Sequence, residues 1–268
     1  MKVIWLEQSA GDVPTEENWL SAGELSLLSG MRIPKRRTDW QLGRWTAKHA
    51  VAAYLKLPSG AQTLATIEIR PTASGAPEVF FDNSLAKVSV SLSHRSGIGA
   101  CAVAPSGTML GCDLELIEPR SEAFVTDYFS ADEQTMVART LAADRPRVIA
   151  LLWSAKESAL KALRVGLRLD TRCVRVTLDG GVPSVAEAES ETTASPSFPP
   201  SERTNEEWFP FHVWYAEDQV FHGWRQVSGE LVRTLVAVPS SPPPIVVQMP
   251  SSRHPKFKSA ILYPKTVG

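Results

Sequence analysis

The sequence lacks the features that mark disulfide-rich, zinc-binding and membrane proteins. Its three cysteines, Cys101, Cys112 and Cys173, are widely spaced and form no CxxC pair, so neither a disulfide framework nor a zinc site is indicated. No run of about 18 apolar residues is present, and the apolar run at the N-terminus is too short for a signal peptide. We therefore expect a cytoplasmic protein that is not embedded in a membrane.

An excess of charge of one sign is also missing. The 28 lysine and arginine residues are balanced by 29 aspartate and glutamate residues, which argues against bulk binding of nucleic acid or of a membrane surface. Any anion must therefore be recognised locally. The motifs GxGxxG before a helix, GxxxxGK[ST], HExxH and GxSxG are absent as well, so the sequence does not predict a dinucleotide fold, a P-loop or those hydrolase sites.

The pattern of apolar residues predicts helices and strands in an ordinary globular chain of 268 residues. We expect helices over residues 16–29, 38–57, 123–143 and 146–165, and strands between and after them. Ser96-Gly97 is typical of a tight hairpin turn. Residues 181–207 are rich in Ser, Thr, Pro and Glu and predict a mobile insertion, while residues 241–268 predict an irregular, proline-rich tail.

Two acids interrupt an apolar strand in the segment GCDLEL, residues 111–116. Because side chains alternate along a strand, Asp113 and Glu115 share one face. Two crowded carboxylates repel each other unless a cation lies between them, and Mg²⁺ prefers such oxygen ligands. For an isolated DxE pair, a solvated strand face is the commoner explanation. Without a cation, we expect the two acids to be loosely ordered and mutually repelling.

A helical stretch, LLWSAKESALKALRVG, places a tryptophan and two charged residues on one stripe. Trp153, Glu157 and Lys161 are four residues apart, with Lys156 beside them. The alternative is an exposed Glu–Lys pair that contributes a few tenths of a kcal/mol. The bulky Trp153 argues against a purely solvated face, so Glu157 could supply a third oxygen to the cation and Lys161 could meet phosphate charge.

A basic cluster lies at the start of the helix predicted over residues 38–57. Arg37, Arg44 and Lys48 fall near one face, preceded by Lys35 and Arg36, and arginine forks suit phosphate. For this stretch alone, a basic solvated face or a weak nucleic-acid contact explains the pattern as well as a phosphate site does. Ser93 and His94 end a predicted strand on opposite faces, where a histidine is more often packed or hydrogen-bonded than catalytic.

Taken in order, the segments KRR…GRW, SLSHRSG, GCDLE and WSAKESALKA resemble the 4′-phosphopantetheinyl transferase superfamily over residues 30–178. They are most similar to its larger monomeric, surfactin-synthetase-activating class. The resemblance implies an α+β fold in which two similar α/β halves form a pseudo-two-fold monomer. On this basis we expect an N-terminal half over residues 1–106 and a C-terminal half, with the metal site, over residues 107–240.

The resemblance also implies roles for individual residues. Asp113, Glu115 and Glu157 would hold Mg²⁺, or alternatively Mn²⁺, against the pyrophosphate of coenzyme A. Glu157 and Lys161 would be catalytic. The residues implied to contact coenzyme A are Lys35, Arg36, Arg37, Arg44, Ser93, His94, Lys156 and Lys161.

The implied reaction transfers the 4′-phosphopantetheine arm of coenzyme A to a serine of an apo acyl, peptidyl or aryl carrier protein, releasing 3′,5′-ADP. A Mg²⁺-dependent phosphohydrolase acting on coenzyme A or a nucleotide, and a non-catalytic module that binds carrier proteins, are the alternatives. The sequence departs from the family at Ala76, where Gly-Lys-Pro is common, and Arg95 follows His94 where a small serine is common. Arg95 could compensate for the missing lysine.

Overall fold

The computed structural model describes residues 1–178, 207–215 and 219–249, which form a mixed α/β structure. The segment predicted to be a mobile insertion, residues 181–207, lies almost entirely outside the described residues. The same is true of the tail after residue 249. In the part of the chain that is described, no helix is both long and apolar enough to cross a bilayer.

The N-terminal part packs one long helix against a sheet with the order β12-β1-β6-β5. This long helix, α2, buries Leu42, Ala47, Ala50 and Val51 against that sheet. A small separate sheet has the order β2-β3-β4. The elements are β1 (Ile4–Ser9), α1 (Ala22–Ser29), α2 (Pro34–Leu55), α3 (Ala61–Thr66), β2 (Ile67–Pro71), β3 (Pro77–Phe81), β4 (Ser84–Leu85), β5 (Val88–Arg95) and β6 (Ile98–Pro105), with β12 (Ile245–Val247) from the C-terminal part of the chain.

The C-terminal part packs a second long helix, α6, against a sheet with the order β7-β11-β10-β9-β8. Helix α6 approaches β7 so closely at Gly111 that a Cβ atom there would lie 1.7 Å from the Ser158 carbonyl oxygen. The elements are β7 (Met109–Leu116), α4 (Glu122–Tyr128), α5 (Ala131–Arg139), α6 (Arg145–Ala162), β8 (Val174–Leu178), β9 (Phe209–Tyr215), β10 (Gln219–Ser228) and β11 (Leu231–Val238).

The structure corrects several predicted boundaries. The single helix expected over residues 123–143 is two helices, because Ser130 caps α5 by accepting the N–H of Glu133 while Glu133 accepts the N–H of Ser130. Helix α2 begins earlier than expected, with Pro34 in its first turn. The tail predicted to be irregular from residue 241 contains β12, which pairs in parallel with β1. The hairpin at Ser96-Gly97 is confirmed, with positive φ at both residues.

The two large sheets meet where their end strands, β5 and β7, lie side by side. Serine hydroxyls bridge these strands: Ser91 Oγ accepts the N–H of Cys112 at 2.9 Å, and Ser93 Oγ accepts the N–H of Leu114 at 3.1 Å. Serines at alternate positions of β5 thereby satisfy backbone donors of β7 that the sheet ladder leaves unpaired. This seam positions the middle of β7 next to the end of β5.

Each long helix also carries a fully buried lysine in a similar setting. Lys48, in the segment WTAK of α2, pairs with Glu24 at 2.5 Å, and Lys156, in the segment WSAK of α6, pairs with Glu133 at 2.8 Å. Both glutamates belong to capping boxes of the preceding short helix. Glu24 also accepts the N–H of Ile69, as Glu133 accepts that of Val176. The two ion pairs tie each long helix to its neighbouring helix and strand.

Candidate active site

Asp113 lies at the centre of a polar cluster between β7, β5 and α6. Its Oδ1 accepts hydrogen bonds from Ser93 Oγ at 2.9 Å and from Lys161 Nζ at 2.8 Å. Lys161 Nζ also donates to the Cys112 carbonyl oxygen at 3.0 Å. The other carboxylate oxygen, Oδ2, is buried and has no hydrogen-bond partner. The carboxylate is therefore firmly held on one side and has a free acceptor on the other.

Glu115, two residues along β7, is held by arginines. Arg120 approaches its Oε1 at 2.8 Å and Arg95 at 3.2 Å, and both guanidinium groups also pair with Glu118. Burial raises the pKa of Glu115, opposed by Arg95 and reinforced by the neighbouring Asp113 carboxylate. Lys161, Arg120 and Arg95 thus offset the repulsion between the two acids. The two acids repel each other, as expected, since Asp113 raises the pKa of Glu115, but each also has a cationic partner.

Glu157 projects from α6 toward the same pair of carboxylates. Burial raises its pKa, and the Asp113 and Glu115 charges raise it further, although Lys161 acts in the opposite direction. Burial alone would lower the pKa of Lys161, but Asp113, Cys112 and Glu157 together outweigh it and the net shift is upward. Three acids and one ammonium group therefore share one electrostatic environment, in which the lysine stays charged and Glu157 holds a proton more readily than a free glutamate.

The residues present fit a hard divalent cation in their chemistry. Three carboxylates are the oxygen donors that Mg²⁺ prefers, and the orphaned Oδ2 of Asp113 is a buried acceptor without a donor. The acids do not converge fully, since no group of three metal-ligating side chains comes together within residues 1–178, 207–215 and 219–249. Both arginine contacts of Glu115 use Oε1, which also accepts the N–H of Leu116.

A cavity of about 310 Å³ opens beside this cluster. Its lining includes Lys161 and Arg164 at the end of α6 and the loop at Ser74–Pro77. Its floor combines serines of β5 with apolar side chains of β5 and β7, and none of its lining residues is acidic. Hydroxyls and two cations beside an apolar floor suit a ligand that carries both phosphate and apolar groups.

The structure corrects the expectation that Lys156 faces phosphate. Its side chain is fully buried, and Nζ donates to the carbonyl oxygens of Thr171, at 2.9 Å, and Val174 besides pairing with Glu133. Burial lowers the pKa of Lys156, opposed by the Glu133 carboxylate. An ammonium group with these partners cannot reach a ligand, so Lys156 is a residue of the core.

The basic cluster at the start of α2 is occupied by contacts within the N-terminal part. Arg37 pairs with Glu17 at 2.6 Å and donates to the Leu28 carbonyl oxygen, while Lys35 lies 3.4 Å from Asp39. Arg44 stacks on the Trp40 ring at 4.5 Å, and burial lowers its pKa. Arg36 is exposed. The cavity lining includes none of these four cations.

The Ser-His pair at the end of β5 separates into two environments. Ser93 is buried, with its hydroxyl bonded to both Leu114 and Asp113, whereas the neighbouring His94 is exposed. The structure thus makes Ser93 a partner of Asp113. Arg95 turns toward Glu115 and Glu118 and does not approach the loop that contains Ala76.

The sequence-based prediction missed Arg120 and Arg164. Arg120 contacts Glu115, and Arg164 lines the cavity. The alternation of serines at positions 89, 91 and 93 was a usable signal for the seam between the sheets, because alternate residues of a strand share a face. No local pattern distinguishes Arg120 or Arg164 from other surface arginines.

Comparison with known proteins adds an independent line of evidence. The family model described as 4′-phosphopantetheinyl transferase superfamily matches residues 109–212, which include Asp113, Glu115, Glu157 and Lys161. The holo-[acyl-carrier-protein] synthases of Streptococcus agalactiae serotype III and serotype V are each 33% identical to the chain over 87 residues, covering 32% of this chain and 73% of the relative.

Two solved structures are also similar to the chain. A holo-(acyl-carrier-protein) synthase from Bacillus anthracis, in complex with CoA (3′,5′-ADP), aligns at 20% identity with a TM-score of 0.33, over 38% of this chain and 92% of that one. The Helicobacter pylori holo-[acyl-carrier-protein] synthase, in complex with coenzyme A, aligns at 18% identity with a TM-score of 0.32, over 39% and 99%. By its sequence relatives, the chain belongs to the 4′-phosphopantetheinyl transferase superfamily.

Proposed function

We propose that the protein transfers the 4′-phosphopantetheine arm of coenzyme A to a serine of an apo carrier protein, releasing 3′,5′-ADP. The observation that carries this proposal is the Asp113–Lys161 pair at 2.8 Å, in the charge environment of Glu115 and Glu157 and beside the cavity without acidic lining. Acids for a cation and cations for phosphates lie side by side there. Both are needed to bind and activate a pyrophosphate.

In this reaction the carrier serine oxygen attacks the phosphorus that bears the pantetheine arm, and the bond from that phosphorus to the ADP oxygen breaks. Glu157 takes the serine proton as the general base; in the metal-free protein its pKa is raised, chiefly by burial. Lys161 stabilises the negative charge on the leaving phosphate, since its pKa is raised and it stays an ammonium group. Ser93 holds Asp113 in position through its hydroxyl.

Asp113, Glu115 and Glu157 are the residues that would hold Mg²⁺, or Mn²⁺ in its place. When bound, the ion supplies charge neutralisation of the pyrophosphate, for which the unpartnered Oδ2 of Asp113 is a ready ligand. Arg120 and Arg95 counter the charge of Glu115 in its absence. The repulsion among the acids is thus reduced by cations of the protein itself.

Binding of coenzyme A is expected to extend beyond the cavity. His94 is exposed at the end of β5, and Arg36 is exposed at the start of α2, so both are available to an anion. Lys35, Arg37 and Arg44 remain candidates for the adenosine 3′-phosphate, although Arg37 would share its guanidinium with Glu17. Lys156 is excluded from this set by its burial.

A pseudo-two-fold relation between the halves is also part of this proposal. It is supported by the paired settings of Lys48 and Lys156, each after Trp-Thr/Ser-Ala and each bound to the glutamate of a capping box. Because β5 and β7 of one chain already join the two sheets, we expect a monomer. The free cysteines, of which Cys101 and Cys112 are buried, suit a reducing cytoplasm.

The test incubates the protein with coenzyme A and Mg²⁺, with and without an apo acyl carrier protein. Chromatography then measures the 3′,5′-ADP that is released. Transfer predicts release only with the carrier, in an amount equal to the carrier modified. Equal release in both reactions would favour a phosphohydrolase, and no release with any carrier of a varied panel would favour a non-catalytic binding module. Glu157→Ala should abolish release while the protein still unfolds cooperatively.

A further inference from the structure

Arg164 stands just beyond the end of α6 in an unusual backbone conformation. Its φ of 58° lies in the left-handed region, where glycine is the favoured residue. The N–H of Arg164 reaches the Lys161 carbonyl oxygen at 3.0 Å and the N–H of Val165 reaches that of Leu160 at 3.2 Å, which is the Schellman pattern that usually has glycine at this position. A strained residue at the mouth of a cavity is a reason to look for a role in binding.

The side chain of Arg164 lines the cavity beside Lys161. Among the described residues, its guanidinium has no carboxylate partner, unlike Arg95, Arg120 and Arg37. The cavity lining contains no acid that could neutralise it. An uncompensated guanidinium next to an ammonium group makes this wall of the cavity attractive to an anion with more than one charge.

The loop at Ser74–Pro77, which also lines the cavity, supplies no cation. This loop carries Ala76, and the Arg168 side chain donates to the Ser74 carbonyl oxygen at 2.7 Å, which ties the loop to the segment that follows α6. Arg168 is thereby engaged by this loop, and it does not line the cavity. Any anion that enters must take its charge partners from Lys161 and Arg164.

We propose that Arg164 is a further binding residue that contacts the pyrophosphate of coenzyme A together with Lys161, and that its strained backbone is retained for this contact. The inference rests on the proposed function. Lys161 reaches Asp113, where the reacting phosphorus is expected, and Arg164 follows three residues later on the same side of the cavity. The pair can therefore contact neighbouring phosphates of one ligand.

The test compares Arg164→Gly with a matched variant at the end of the other long helix. Lys56 ends α2 with φ of 57° and the same pattern, since its N–H reaches Ala53 and the N–H of Leu57 reaches Ala52. It is exposed and does not line the cavity. Glycine relieves the left-handed backbone at either position, so both variants should unfold at a Tm about 2 °C higher than the wild type.

Binding separates the two variants. Isothermal titration in the presence of Mg²⁺, without carrier, should show Arg164→Gly binding coenzyme A and dephospho-coenzyme A about tenfold more weakly, whereas Lys56→Gly binds both as the wild type does. A loss for coenzyme A alone would assign Arg164 to the 3′-phosphate and overturn the inference, as would unchanged binding. Failure of the wild-type chain to bind coenzyme A would instead contradict the proposed function itself.

Discussion

At the scale of single residues, the carboxylate of Glu157 serves the proposed chemistry but lowers the stability of the free protein. It lies in a buried site with Asp113 and Glu115, and both the burial and these charges raise its pKa. Removing its charge should therefore stabilise the protein while it damages the chemistry. Such a trade between stability and activity is common where an active site crowds like charges.

The variant Glu157→Gln tests this trade directly. We expect transfer to fall by about 100-fold or more, because an amide cannot accept the serine proton. The free energy of unfolding at neutral pH without metal should rise by ~1 kcal/mol. Denaturant unfolding and the transfer rate measure the two effects, with the exposed Glu122→Gln as a control for charge removal. A variant that is less stable than the wild type would contradict the claim that the Asp113 and Glu115 charges destabilise the charge of Glu157.

Ser93 is the residue whose role the structure changes most. Its hydroxyl accepts the N–H of Leu114 and donates to Asp113, so Ser93→Ala leaves a buried donor unpaired and Asp113 less firmly oriented. We expect the free energy of unfolding to fall by about 1–3 kcal/mol, and the Mg²⁺ concentration needed for half-maximal activity to rise about 10-fold. The control is Ser154→Ala, since Ser154 is also buried but bonds to Thr234 and to no acid. Ser154→Ala should lose stability without a change in the Mg²⁺ concentration needed for half-maximal activity. If both variants needed the same Mg²⁺ concentration, Ser93 would be a purely structural residue.

At the scale of elements, the site depends on how closely α6 approaches β7. Gly111 has no room for a side chain, because a Cβ there would meet the Ser158 carbonyl oxygen and the Ala162 nitrogen. Gly111→Ala must push the helix off the strand and separate Glu157 from Asp113. We expect the free energy of unfolding, measured by heat or denaturant, to fall by about 3 kcal/mol or more.

A second glycine provides the comparison for Gly111→Ala. A Cβ on Gly43, within α2, would meet nothing within 4 Å. Gly43→Ala should therefore stabilise the protein by about 0.5–1 kcal/mol through the helix propensity of alanine. If both variants changed stability by the same amount, the close approach of α6 to β7 would not be what requires glycine.

Helix α2 should also confer a pH dependence through His49. Burial lowers the pKa of His49, opposed by its bond to the Trp45 carbonyl oxygen. The folded state therefore resists a proton that the unfolded state binds below about pH 6.5. Stability should fall as the pH drops through this window toward the lowered pKa, and it should be fully present above it.

The comparison of the wild type with His49→Gln isolates that contribution. We expect the wild type to lose more free energy of unfolding than the variant between about pH 7.5 and about pH 5.5, because glutamine does not titrate. Urea unfolding at each pH provides the values. Parallel losses in the two proteins would show that other groups account for the acid sensitivity.

At the scale of the whole molecule, the sequence was informative where the placement of a side chain follows from local spacing. Alternation along a strand placed Asp113 and Glu115 on one face, and the four-residue spacing placed Glu157 and Lys161 on one side of a helix. The structure brings Asp113 and Lys161 into contact across β7 and α6. These residues could be predicted because each pattern lies within one element.

Features that depend on distant parts of the chain could not be predicted in this way. Lys156 is buried because Glu133 reaches it from another helix, and β12 forms because three residues near the end of the described chain pair with β1. Arg164 lines a cavity that is also lined by the loop at Ala76. In each case the decisive partner is remote in sequence, and no local periodicity identifies it.

The central claim concerns the whole molecule acting on another protein, and it is tested most directly by intact mass spectrometry of a carrier. An apo acyl carrier protein is incubated with the full chain, coenzyme A and Mg²⁺, alongside a carrier in which the acceptor serine is alanine. The account predicts that the first carrier gains the mass of one 4′-phosphopantetheine group and that the second gains nothing. An unchanged mass for every apo acyl, peptidyl and aryl carrier tried would contradict it.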